Sequence, residues 1–127
     1  FEENISGMKS FDKADLMISD WSGVAFEFAF GLEKPVIFID LPKKINNSDF
    51  ELYKNIPIEV SLREKIGEVV APDNLETLVD RIEHVFQREE SFKKIIAQER
   101  DKIIYNVGKS SRKGADYIQN LLNNFNY

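Results

Sequence analysis

Four residues in the segment ADLMISDWSGVAFEFAFGLEKPVIFI, residues 14–39, have the types and spacing to hold an anion: Asp20, Ser22, Gly23 and Glu27. The segment reads as an apolar run, a small polar turn, a helix-like stretch and a second apolar run. Asp20, Ser22 and Gly23 fall where a strand would hand over to a helix. Free backbone N–H groups and the positive end of the helix dipole point the same way at such a turn, which suits phosphate. Ser22 can add a hydroxyl, and Gly23 lets a phosphate approach the backbone with no Cβ in the way. The competing reading is that Asp20 or Ser22 is an N-cap, which stabilises a helix by roughly 1 kcal/mol. Glu27 is the only acidic residue in an otherwise apolar helix and is flanked by Phe26 and Phe28. A charge among such neighbours must be paired or solvated. It could accept hydrogen bonds from ribose hydroxyls, or it could occupy an exposed helix face.

Other candidates carry less chemistry. His84 has Asp80 one turn before it and Arg88 one turn after, which predicts a solvated histidine on the polar face of a helix. Gly108-Lys109-Ser110-Ser111 ends like a P-loop, but the glycine required five positions earlier is replaced by Ile103, so that motif is rejected. Lys109, Arg112 and Lys113 could touch a phosphate, or simply begin a solvated helix. Asp15 and Asp20 bracket a strand without the third acid or basic partner that a phosphoacceptor or metal site needs.

The elements that must position these residues follow from periodicity. Leu16, Met17 and Ile18 predict a short buried strand. Val24, Ala25, Phe28, Ala29 and Leu32 recur at helical spacing, with Phe26 and Phe30 widening the face. Glu33-Lys34-Pro35 stops that helix. Val36–Ile39 reads as a second buried strand of a parallel sheet, giving a βαβ core over about 14–40. Its crossover is expected to be right-handed. Residues 41–61 read as an irregular loop, long enough to suggest function or partner contact. A turn of helix is expected at Leu62–Ile66 and a small edge strand at Glu68–Val70. Pro72-Asp73-Asn74 is a helix start signal, followed by a stripe of Leu75, Leu78, Val79, Ile82, Val85 and Phe86. Phe92, Ile95, Ile96 and Ile103 predict a second helix broken by Gly108. Ser110 or Ser111 can cap a third helix with Ala115, Tyr117, Ile118, Leu121 and Leu122. The helical tail spans about 73–125, and the final NNFNY is expected to fray.

With 127 residues, 43 % hydrophobic and 31 % charged, the chain has the composition of one ordinary folded domain. No cysteine is present, so disulfides and thiolate metal sites are excluded. The single histidine excludes a His-rich metal cluster. A net charge of −5 argues against a general nucleic-acid binder and gives no attraction to an anionic membrane. No run approaches the roughly 20 apolar residues of a membrane span. The opening FEENISGMKSFDK runs straight into the first strand. Two or three strands with a helical tail therefore read as a truncated Rossmann-like sheet, part of a longer polypeptide.

The run ADLMISDWSGVAFEFAFGLEKPVIFID resembles the C-terminal nucleotide-binding half of GT-B transferases, and most of all the CDP-glycerol glycerophosphotransferases that build teichoic-acid-type polymers. Asp20, Trp21, Ser22, Gly23, Glu27, Phe28, Lys34 and Pro35 occupy the family's positions, although Gly23 replaces a usual second serine and Trp21 a common tyrosine. The resemblance implies a nucleotide diphosphate with phosphates at Ser22–Gly23 and ribose near Glu27. The donor would be CDP-glycerol or a nucleotide sugar, and a glycerophosphate or sugar would pass to a polymer acceptor in cell-wall or surface-glycan synthesis. No cofactor and no metal are implied. The partner would be an N-terminal half carrying the acceptor site and catalytic base, and this part alone would turn nothing over. The location implied is cytoplasmic, with peripheral association at the inner membrane face left open through the rest of the parent chain. UDP-N-acetylglucosamine 2-epimerases share the Ser-Gly, acidic-helix and Lys-Pro-Val pattern and form the enzymatic alternative. A non-catalytic nucleotide-binding or receiver-like domain acting through Asp20 is the other.

Overall fold

The computed structural model describes residues 8–43 and 56–124. Most of the segment 41–61, the start of the opening sequence and the last three residues lie outside the described residues, and so do the expectations that fall there. Three strands, β1 (Met17–Ser19), β2 (Val36–Ile39) and β3 (Gly67–Val70), form a parallel sheet in the order β1-β2-β3. Met17 pairs with Val36, and Val36 in turn with Gly67. Helix α1 (Met8–Lys13) precedes the sheet and α2 (Val24–Leu32) crosses from β1 to β2. The short helices α3 (Ile58–Ser61) and α4 (Arg63–Ile66) lead into β3. A 3-10 turn (Pro72–Thr77) then opens onto α5 (Leu78–Gln87), α6 (Glu89–Ile103) and α7 (Ser110–Asn124). This is the α/β, Rossmann-like arrangement with a helical C-terminal tail.

β2 is the central strand, and its VIF run is covered on both faces: Val36, Ile37 and Phe38 are fully buried. That is why it reads as a continuous apolar run rather than an alternating one. β1 departs from the buried strand expected, because it pairs with β2 along one side only. Ile18 is 49 % exposed, while Leu16 and Met17 are half-buried. α2 buries Ala25, Phe26, Phe28, Ala29 and Phe30. Phe28 meets Phe11 of α1 edge-on at 5.6 Å, and Phe26 meets Phe38 of β2 at 5.9 Å. Each such burial stabilises the fold by about 1.5–3 kcal/mol.

α2 ends on Glu33, whose φ of 57° is left-handed. That conformation disfavours a residue with a Cβ by about 1–2 kcal/mol. The Glu33 carboxylate accepts a 2.8 Å hydrogen bond from Arg100 Nη1, which also reaches the Phe30 carbonyl at 3.4 Å. Arg100 thus fastens α6 to the C-terminus of α2. Burial lies mainly on Leu62, Ile66, Val85, Phe92 and Ile96 where α4, α5 and α6 close over the sheet.

Several expectations in the C-terminal half are corrected. Pro72–Thr77 is 3-10, with Asn74 non-helical, so Leu75 falls out of phase with α5 and is exposed. Along α5 only Val85 is fully buried, Leu78 and Ile82 are half-buried, and Val79 and Phe86 face out. The turn at Ile58–Ser61 lies inside the stretch read as an irregular loop. α6 stops at Ile103, before Gly108, through a connection in which Asn106 and Gly108 both have positive φ. Ser110 does not cap α7 by accepting an N–H; its hydroxyl donates to the carbonyls of Asn106 (3.0 Å) and Tyr105 (3.3 Å). Every residue of α7 is exposed, including Tyr117, Ile118, Leu121 and Leu122.

Candidate functional site

β1 ends at Ser19 and delivers Asp20, Trp21 and Ser22 into the turn before α2, at the C-terminal end of the parallel strands. Ligands of open α/β sheets bind at that end. The N-cap of α2 is Gly23, with φ −60°, ψ −27° and no side-chain capping bond. The first turn closes on backbone carbonyls instead: Ala25 N–H donates to Ser22, and Phe26 and Glu27 N–H groups donate to Gly23. The capping reading of Asp20 and Ser22 is therefore not the one adopted. Gly23 takes an ordinary helical φ, and a Cβ there would meet nothing within 4 Å, so packing alone does not require glycine.

A cavity of about 650 Å3 opens beside this turn. Asp20, Trp21 and Ser22 form one side, Leu41, Pro42 and Lys43 after β2 form the second, and Pro57, Glu59 and Val60 at α3 form the third. The Trp21 indole N–H donates to the Leu41 carbonyl at 2.6 Å, and Lys43 Nζ stands 4.8 Å from the indole centroid. Behind the indole lies Arg63 of α4, only 4 % exposed. Its guanidinium carbon is 3.8 Å from the Trp21 centroid and 5.1 Å from that of Phe38. Nη1 donates to Asp40 Oδ1 at 2.7 Å and Nη2 to the Ile39 carbonyl at 3.5 Å, while buried Nε has no partner among the described residues. A desolvated cation–π stack contributes about 2 kcal/mol, and an unsatisfied buried donor costs about 1–3 kcal/mol, so the two are of similar size.

Of the four sequence candidates, Asp20 and Ser22 share this cavity. Gly23 adjoins it at the N-terminus of α2 and is exposed. Glu27 is exposed and borders a different cavity, about 460 Å3, with Phe26, Phe30, Ile58, Arg100 and Ile103. Lys34 is committed to the fold: its Nζ donates to the Ala14 carbonyl at 2.6 Å and meets Asp15 Oδ1 at 3.4 Å. It ties the entrance of β2 to the entrance of β1, leaving Asp15 at the end of the strand opposite Asp20.

His84 is half-exposed as expected of a helix surface, but its partner is neither Asp80 nor Arg88. Its Nδ1 contacts Glu68 of β3, which Arg81 also reaches at 3.3 Å. Lys109, Arg112 and Lys113 are exposed near the start of α7 and do not border the cavity. Among the described residues no group of three or more His, Cys, Asp or Glu could hold a metal ion, and no helix is long and apolar enough to cross a membrane. Two shifted pKa values lie away from the cavity and belong to the frame. The hydrogen bond from Lys102, with help from Lys65, holds Glu99 below its ordinary range against the opposing effect of burial. The hydrogen bonds to Glu33 and Asp101 raise Arg100 above its ordinary value.

Arg63, Asp40 and Lys43 are site-forming residues that sequence reasoning missed. Arg63 sits between Leu62 and Ile66 in a short polar-looking helix, and nothing in that spacing marks a buried cation. Comparison with protein families gives a match over residues 7–120 to the family described as CDP-Glycerol:Poly(glycerophosphate) glycerophosphotransferase. Neither the curated proteins nor the solved structures gave a match.

Proposed function

The chain belongs to the CDP-glycerol:poly(glycerophosphate) glycerophosphotransferase family, and from that premise we propose that it is the donor-nucleotide-binding part of a GT-B-type transferase. The donor is CDP-glycerol or a closely related activated nucleotide, and the acceptor is a growing surface polymer of the teichoic-acid kind. The observation that carries this reading is the turn Asp20–Ser22. Its side chains cap no helix, and they border the 650 Å3 cavity at the C-terminal end of the parallel strands. The N-terminus of α2, which also adjoins this turn, favours negative charge.

In glycerophosphate transfer an acceptor hydroxyl oxygen forms a bond to the donor's distal phosphorus. The P–O bond to the nucleoside monophosphate breaks, and that monophosphate leaves with the negative charge. Ser22 and the α2 N-terminus stabilise this growing charge, and Lys43 across the cavity adds a cation. Glu27 lies one turn along α2 at the border of the neighbouring cavity, so its contact with the ribose hydroxyls requires the nucleotide to extend from the turn along α2 toward it. The acceptor site and the base that takes the hydroxyl proton lie in the other half of the enzyme.

Calorimetric titration of the full-length protein with CDP and with UDP tests the assignment. Wild type is expected to bind CDP, and Ser22→Ala and Glu27→Ala are each expected to weaken it by roughly tenfold, the loss of one charge-assisted hydrogen bond. Absence of CDP binding, or wild-type affinity in both variants, would sink the site. Loss in Ser22→Ala alone would leave the phosphate turn standing and remove Glu27 from it.

A further inference from the structure

We propose that Arg63 is the positioning residue of this cavity, a buried post that holds its three walls at fixed separation; the proposal rests on reading the Asp20–Ser22 turn as the nucleotide site. Two walls meet the Arg63 guanidinium and the third is joined to the backbone that carries it. The guanidinium's central carbon lies over the Trp21 indole, 3.8 Å from the ring centroid, next to Ser22 in the turn. Two of its nitrogens hold the exit of β2 through the Ile39 carbonyl and the Asp40 carboxylate, just before Leu41, Pro42 and Lys43 line the cavity. The third wall is α3, which runs into Arg63's own helix through Leu62, whose N–H donates to the Ile58 carbonyl. The Trp21 N–H to Leu41 carbonyl bond then closes the first wall on the second.

Two observations separate this role from ordinary packing. A buried arginine is expensive to desolvate, and here its Nε has no partner among the described residues. An unbranched apolar side chain would fill the slot between Trp21 and Phe38 without leaving a buried donor unsatisfied. The guanidinium alone can stack on an indole and reach a carboxylate and a carbonyl in one plane. Lysine offers a point charge and no plane, so Arg63→Lys is not conservative here. Arg63 does not itself border the cavity, so it acts through Trp21 and Asp40 rather than on the nucleotide.

The test uses the full-length protein labelled with 5-fluorotryptophan, the 19F resonance of Trp21 being identified by its loss in Trp21→Phe. CDP affinity is read by calorimetry for Arg63→Lys, Arg63→Met, Trp21→Phe and the Arg63→Lys/Trp21→Phe double variant. Both Arg63 variants are expected to move the Trp21 resonance before any ligand is added, and to raise the CDP Kd by roughly tenfold or more, the penalty of a displaced binding wall. The double variant should be no weaker than the worse single one, because both substitutions break the same stack. A merely structural arginine would lower the melting temperature and leave the CDP Kd of the folded protein unchanged, whereas the Trp21 resonance reports only that the contact at 3.8 Å has been altered. If Arg63→Lys binds CDP within about twofold of wild type, within ordinary variation for uncoupled substitutions, the assignment is overturned while the nucleotide site stands. If wild type binds no CDP, the site reading falls and this assignment falls with it. Should Arg63→Met fail to fold, Arg63→Lys and Trp21→Phe decide the question.

Discussion

Gly67 is the tightest point in the frame, and replacing it with alanine gives the sharpest structural test. It opens β3 directly after the helix that carries Arg63, and it pairs with Val36 of the fully buried β2. Its φ of 178° is extended, so conformational strain is not the issue. Proximity is: a Cβ on residue 67 would stand 1.7 Å from the Val36 carbonyl oxygen, 2.7 Å from its carbon and 3.0 Å from its nitrogen. All three are backbone atoms and cannot rotate away. Restoring even a 3.0 Å separation requires the strands to part by about 1.3 Å. Ladder hydrogen bonds near 2.9 Å would then exceed about 4 Å and be lost. Losing one or two of them costs about 1 kcal/mol each, and overpacking adds about 1–3 kcal/mol, so Gly67→Ala is expected to destabilise by about 3 kcal/mol. In a domain of this size that lowers Tm by about 10 °C. Urea unfolding followed by circular dichroism reads the change, with Gly31→Ala as the control. Gly31 lies on the exposed side of α2, where an added methyl would meet nothing within 4 Å, so alanine there should stabilise by about 0.5–1 kcal/mol. A Gly67→Ala protein that unfolds at the wild-type urea concentration would refute the close approach of β3 to β2.

The left-handed Glu33 separates strain from pairing: Glu33→Ala loses the Arg100 contact and keeps the strain, whereas Glu33→Gly loses both, so glycine should be the more stable by about 1 kcal/mol in paired urea curves. Glu99, held below its ordinary value of 4.5 chiefly by Lys102, contributes stability that is present above the unfolded-state pKa and disappears as pH falls through the lowered folded pKa. Glu99→Gln should therefore be destabilised relative to wild type at pH 7 and converge with it in acid, and a gap that widens on acidification would contradict the Lys102–Glu99–Lys65 arrangement.

What the sequence made legible was what depends on neighbours along the chain. The VIFI run, the phenylalanines of α2 and the apolar spacing of α6 dictate their elements locally, and the turn between β1 and α2 follows from them. What stayed hidden depends on which elements meet. Arg63 becomes a site residue only because α4 packs beneath Trp21, and Glu68 partners His84 only because β3 lies beside α5. The stripe through Leu75 fails for a local reason: Pro72 begins a 3-10 turn, and that turn breaks the helical phase at Asn74. Counting along α2 groups Glu27 with Ser22, yet the helix presents it at the border of the second cavity. The resemblance legible in the sequence rests on residues 14–40 and carries no hint of the arginine post, which lies in a later part of the matched stretch 7–120.

The sheet order, identical to the order along the chain, has a kinetic consequence. Pairing Met17 with Val36 closes a loop of 19 residues, whereas pairing Val36 with Gly67 closes one of 31. Loop-closure entropy makes the second about 0.4 kcal/mol less favourable, and the second also brings in elements that have little helix of their own until they dock. Assembly is thus expected to begin with the β1–α2–β2 unit and to finish with β3, which a high φ-value at Phe28 and a low one at Val70 would register, and equal values would contradict. Trp21 and Asp40 belong to the early unit and Arg63 to the late one. The cavity therefore exists only after the final closure, and a chain caught between the two steps would have a folded nucleus and no binding site.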